Sequence, residues 1–135
     1  MSQPERSELE QLFADTVYTS EYGNVHVGQE LPVGVLAWMA DRKLDTLAIL
    51  GAENPLGIEA SAEANAAAHS RLLQELTTRE LQWVESTGHC NAWSERHVFV
   101  LGCTLDSAIQ LARQFSQAAI VWCVRDGLAT LEWCE

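Results

Sequence analysis

Positive charge is what this chain has least of. Eight Arg and Lys residues stand against 19 Asp and Glu in 135 residues, giving a net charge of −11. The eight (Arg6, Arg42, Lys43, Arg71, Arg79, Arg96, Arg113 and Arg125) are scattered and form no stripe. Gripping a phosphate backbone or an anionic membrane requires clustered Lys and Arg, so neither nucleic acid nor a membrane surface is an expected partner. No apolar run approaches the ~20 residues that span a bilayer. Met1–Glu5 has neither a basic n-region nor an apolar h-region, which points to the cytoplasm.

Paired cysteines are also missing. Cys90, Cys103, Cys123 and Cys134 make no Cys-x-x-Cys unit, and the last three fall in apolar stretches that read as strands. Buried free thiols are the expectation. His89-Cys90 followed by His97 lacks the spacing of a structural zinc site, so no metal is expected. There is no Gly-rich phosphate loop and no Ser or Cys nucleophile tied to a base by a motif, so no cofactor is expected either.

What is there is an ordinary globular composition, 47% hydrophobic and 20% charged. Its length suits a single domain, residues 1–135, with a real core. The chain is organised around Leu47–Gly57, an apolar strand running into an Asn54-Pro55 step and Gly57. The Asn-Pro step favours an extended, turning backbone, and a helix opens near Ser61.

Before that stretch, Leu9, Leu12, Phe13, Thr16 and Val17 follow the spacing of a one-faced helix capped at Ser7. Tyr22–Gly28 reads as a short strand, and Pro32 as the first turn of a helix with Val35, Leu36 and Met39 inward. Residues 1–46 are therefore expected to pack two helices and a short strand onto a sheet.

From residue 47 the order is strand, helix, strand, strand, helix, strand, strand. The two middle strands, Leu81–Glu85 and His97–Cys103, are joined by a polar loop holding Gly88, Asn91, Trp93 and Glu95. The second helix starts at a Thr104 cap. Asp126-Gly127 signals a hairpin that sets Val124 opposite Ala129, Trp122 opposite Leu131 and Ile120 opposite Trp133. This order predicts an α/β (α+β) layered sandwich with a ferredoxin-like, split β-α-β core sheet and helices on both faces.

Such a topology brings Asn54, Asn65, His69, Trp93, Glu95 and Gln117 to one rim. The same residues carry a resemblance. Asn54-Pro55-x-Gly57, Asn65 on the next helix, Trp93-x-Glu95 before a strand, and Phe115-x-Gln117-x-Ala119-Ile120-x-Trp122 resemble an uncharacterised bacterial family, domain of unknown function 3293. Two positions depart from its pattern: Gly51 where Thr is usual, and Ser116 where Gly commonly precedes the Gln. The resemblance implies a location for a site and no reaction.

Two functions fit the rim. In one it binds a small polar ligand: the amides of Asn54, Asn65 and Gln117 orient it, Trp93 stacks on it, and His69 or Glu95 serves as general acid or base. Glu53, Glu59 and Glu63 nearby argue against an anionic ligand. In the other the protein is a non-enzymatic interaction or regulatory protein, the polar groups brace three loops, and the acidic surface contacts a protein partner.

Overall fold

The computed structural model describes residues 3–135, so Met1 and Ser2 of the N-terminal segment lie outside it. Helix α1, Arg6–Asp15, has Glu5 at its N-cap and leads into β1, Val17–Ser20. The helical spacing of Thr16 and Val17 is overridden: Val17 pairs with His89, and the run Val17-Tyr18-Thr19 suits a strand. After β2, Gly23–Val25, helix α2 covers Val33–Arg42 with Pro32 at its N-cap. Strand β3, Thr46–Gly51, and a single 3-10 turn at Pro55–Gly57 lead to α3, Ala62–Thr78. Then come β4, Gln82–Cys90, β5, Trp93–Leu101, α4, Leu105–Gln114, β6, Ala119–Val124, and β7, Thr130–Trp133.

The helix start expected near Ser61 and the cap expected at Thr104 are in place, whereas Ser7 lies inside the first turn of α1 and not at its cap. The Ala64 amide donates to Ser61 Oγ, and the Ser107 amide to Thr104 Oγ1, both at 3.1 Å. Among the described residues no helix is long and apolar enough to cross a membrane.

All seven strands join one antiparallel sheet in the order β2-β1-β4-β5-β3-β6-β7. The class is mixed α+β. The structure stops short of a flat ferredoxin-like sandwich, because the sheet curls into a half-barrel. The element order from residue 47 is the expected one, while β1 and β2 extend the sheet rather than merely packing on it.

Alternation along β3 and β5 splits the core in two. Ala48, Leu50, Val98 and Val100 meet Leu72 and Leu76 of α3 and Leu111 of α4. Leu47, Ile49, Phe99 and Leu101 meet Val35, Trp38 and Met39 of α2 on the other side. Leu72, Leu76 and Met39 are fully buried, each contributing on the order of 1.5–3 kcal/mol of burial free energy.

Two further expectations are corrected. The β4–β5 hairpin is longer than its apolar part, reaching a two-residue turn at Asn91-Ala92, with Asn91 in the left-handed region at φ 54°. Trp93 and Glu95 therefore sit on β5 and not in a loop. The last hairpin closes one residue early, since the Gly127 amide donates to the Val124 carbonyl. Its pairs are Trp122 with Thr130, Val121 with Leu131 and Ala119 with Trp133. A one-residue slip changes faces, so Leu131 and Trp133 leave the side that holds Ile120 and Trp122. Leu128 and Ala129 are instead drawn to the segment at residues 28–30. Cys103, Cys123 and Cys134 are buried free thiols, although Cys103 and Cys134 lie just beyond their strands.

Candidate functional site

The end of β3 delivers Glu53 and Asn54 to the rim. Asn54 takes a left-handed conformation at φ 47°, which Asn tolerates better than most residues. Its main-chain amide donates to Asn65 Oδ1, and Asn65 Nδ2 donates back to Asn54 Oδ1, each at 2.9 Å. The Ala60 amide donates to the same Asn54 oxygen at 3.0 Å. Asn54 Nδ2 donates to Glu95 Oε2 at 2.8 Å. Gln117 Nε2 donates to the Glu53 carbonyl at 3.2 Å and to the Phe115 carbonyl at 3.1 Å. The loop after β3, the start of α3, β5 and the entry to β6 are thereby tied together.

Five of the six expected residues thus meet at one end of the sheet. His69 does not. Its Nε2 lies 2.9 Å from Glu85 Oε1 of β4, beneath α3, and it lines neither cavity at the rim. The four-residue step from Asn65 carries it one turn along the helix, onto the sheet instead of the rim. Its Nδ1 is buried without a hydrogen-bond partner among the described residues.

Two spaces adjoin Asn54, Trp93 and Glu95. One is a narrow chamber of about 50 Å³ between α1 and the sheet, walled also by Tyr18, His97 and Gln117. That volume holds a few waters and no metabolite. The other is an open groove of about 660 Å³ bordered by α1, Glu59, Asn65 and Ser94.

The sequence pattern does not single out Tyr18, His97 or Glu53 as site residues. A signal for His97 exists in the period-two run Trp93, Glu95, His97, Phe99, Leu101, which puts all five on one face of β5. Tyr18 packs edge-on against the His97 ring, centroids 5.5 Å apart. The ring lies between two glycines: a Cβ on Gly51 would come within 3.0 Å of it, and one on Gly88 within 2.9 Å.

Burial pushes the Glu95 carboxyl up to about 7; the Asn54 hydrogen bond opposes this and the Glu53 charge adds to it. Burial pulls His97 down to about 4, against the pull of its hydrogen bond to the Glu95 carbonyl and the Glu53 charge, and with the His69 charge adding to the fall. Burial also raises the Tyr18 phenol well above its ordinary value, opposed by the Thr16 hydroxyl. His97 Nδ1 is 3.3 Å from the Glu95 carbonyl, which can only accept, so the ring proton resides there. Nε2 then offers a lone pair 3.8 Å from Glu95 Oε1. Glu53 is paired with Arg96, its Oε2 2.5 Å from the guanidinium Nε. The arrangement can accept hydrogen bonds from a ligand and exchange a proton with it near neutral pH. Among the described residues no group of three His, Cys, Asp or Glu side chains is placed to hold a metal ion.

A family model described as protein of unknown function (DUF3293) matches residues 50–120, more than half of the 135-residue chain. The chain belongs to that family. No curated protein and no solved structure matches it. The DUF3293 segment contains the whole polar network from Glu53 to Gln117.

Both departures from the DUF3293 pattern have a structural setting. Ser116 has φ 53°, the conformation in which Gly is unstrained. Gly51 faces His97, and a side chain there would also meet the Arg96 carbonyl at 3.1 Å. The ring of His97 occupies the space that a larger residue at 51 would need.

Proposed function

We propose that this protein binds a small polar molecule, neutral or cationic, in the groove between α1, the Asn54-Pro55 loop and the first residues of β5. The observation that carries the reading is Glu95, nearly buried at the junction of groove and chamber yet with a carboxyl poised near neutrality. Such a group is a functional candidate because it can both hold a ligand and exchange a proton with it. Trp93 offers an aromatic surface at the same junction. Glu8, Glu53 and Glu59 join Glu95 along the groove, and no Lys, Arg or His lines it, which disfavours anions.

Within this reading, Asn54, Asn65 and Gln117 position the rim while Trp93 and Glu95 face the ligand. His69 serves the packing of α3 on β4. The framework is read as a split β-α-β unit within a single cytoplasmic domain. A thermal-shift screen of small amines, amides and polyols tests it. Compounds that raise the melting temperature of the native protein, with the effect lost in Trp93→Ala, are the expected result. A screen with no shift at millimolar concentration overturns the reading.

One observation favours the alternative of an interaction protein. The Asn54 side chain already makes three hydrogen bonds within the fold, and its carbonyl oxygen takes two of them. In that reading the rim is a brace and the acidic surface contacts a basic protein partner.

A further inference from the structure

Helix α1 covers the narrow chamber, and its N-terminal half is weakly held. Of its ten residues Leu9 alone is buried; Leu12 and Phe13 are half-buried, Phe13 packing against the core near the C-terminal end, and Glu5 at the N-cap makes no side-chain bond to the first turn. Arg6 reaches Glu135 at 3.2 Å and covers the Trp133 ring at 4.2 Å, with both ion-pair side chains more than half exposed. Exposed pairs of this kind contribute little to stability. The other support is Gly57, where Leu9 and Pro4 rest so closely that a Cβ would meet them at 3.2 and 3.3 Å.

The C-terminal end of α1 is anchored differently. Thr16 is extended, at φ −80° and ψ 138°, its hydroxyl donates to the Leu12 carbonyl at 2.6 Å, and Val17 is already in the sheet. One end is therefore fixed in the strands, while the other leans on one buried leucine and on exposed contacts.

We infer that α1 is a hinged lid, turning about Asp15-Thr16, whose opening widens the narrow chamber around Tyr18, Glu95 and His97 into the outer groove. Leu9 and Leu12 stand between the two spaces and line both, so displacing them merges the volumes. The chamber alone is too small for a metabolite, and the groove alone does not reach Tyr18 or His97. Opening gives a ligand both. Regions with few buried apolar side chains open locally at lower free energy than the core, and α1 is such a region beside β3 and β5. The use of the lid rests on the groove being a ligand site; its movement does not.

The test needs no ligand. Ala119, on the chamber wall and 4% exposed, is replaced in Ala119→Cys. The native protein is treated with the disulfide reagent DTNB, and each cysteine is followed by mass spectrometry. The thiol at 119 is expected to react at least tenfold faster than Cys103 and Cys123, and several-fold faster again when Leu9→Ala is added, with the Cys103 and Cys123 rates unchanged. Equal rates at 119, 103 and 123 overturn the lid. Amide hydrogen exchange on the unaltered chain keeps the question open to measurement if that variant fails to fold. Amides of residues 10–14 are expected to exchange at least tenfold faster than those of Ile49 and Phe99, and exchange of all of them in one step with global unfolding overturns the lid. Either failure leaves the thermal-shift screen to judge the groove on its own.

Discussion

Asn54 and Asn65, eleven residues apart, satisfy each other: the main-chain amide and side-chain oxygen of one face the side-chain oxygen and amide of the other at 2.9 Å. This pairing fixes the backbone between β3 and α3, and it makes the two residues structural partners before any ligand arrives.

Asn65→Ala leaves the Asn54 amide without an acceptor in a part-buried place. The variant is expected to lose about 1–3 kcal/mol of stability, although Ala is the better helix former at that position. Chemical denaturation reads the change directly. A curve superimposing on that of the parent protein shows that the pair carries no load.

Glu95 makes stability pH-dependent. A carboxyl whose pKa is higher folded than unfolded keeps its proton while the unfolded chain releases its own, so stability falls as pH rises from about 4.5 to about 7. Glu95→Gln removes that loss while keeping an oxygen for Asn54. At pH 8 the variant is expected to exceed the parent by about 1–3 kcal/mol, with the gap closing by pH 4. Equal stabilities at pH 8 contradict the raised value.

His97 acts in the opposite sense. Its pKa falls from 6.5 to about 4 on burial, so its contribution is complete above 6.5 and is lost as pH falls toward 4. Carbon-13 NMR of the ring is expected to show a neutral imidazole from pH 8 down to 5. Titration near its ordinary value shows instead that water reaches the ring.

Ser116 occupies a conformation made for glycine. Ser116→Gly is expected to stabilise the fold by about 0.5–1 kcal/mol, relief of the left-handed strain outweighing the added freedom of the unfolded chain. Melting temperature before and after the substitution measures the balance, and a lower value reverses the assignment.

Much of this was legible in the residues, for identifiable reasons. The helix starts at Ser61 and Thr104 announce themselves because a hydroxyl cap is a local event. The apolar halves of β3 and β5 do so because both of their faces are buried. The outer half of β5 is harder to read. Trp93 and Glu95 are strand residues that line the chamber and alternate with polar Ser94 and Arg96, so the stretch carries the composition of a loop. Strand β1 hides for a related reason: Thr16 and Val17 continue a helical spacing, and pairing with β4 cancels it. The last hairpin slips because Leu128 and Ala129 pair with residues 28–30, far off in sequence. Asn54, Asn65, Glu95 and Gln117 were legible as a group because the order of elements places their backbones at one end, whereas His69 shared their stripe on α3 and turned out to face Glu85.

The turn between Asn54 and Ser61 also sets a rotational phase. Asn54 and Leu56 both take left-handed dihedrals on either side of Pro55, and the Leu56 amide is tied to the Ser116 carbonyl at 2.7 Å, so the loop has little slack. Each residue added or removed ahead of α3 rotates the helix by about 100°. Asn65 would then leave Asn54 at the same moment that Ala68, Leu72 and Leu76 left the core. Loop length, core packing and the polar rim thus form a single constraint, and a change of length within residues 55–60 is felt at all three together.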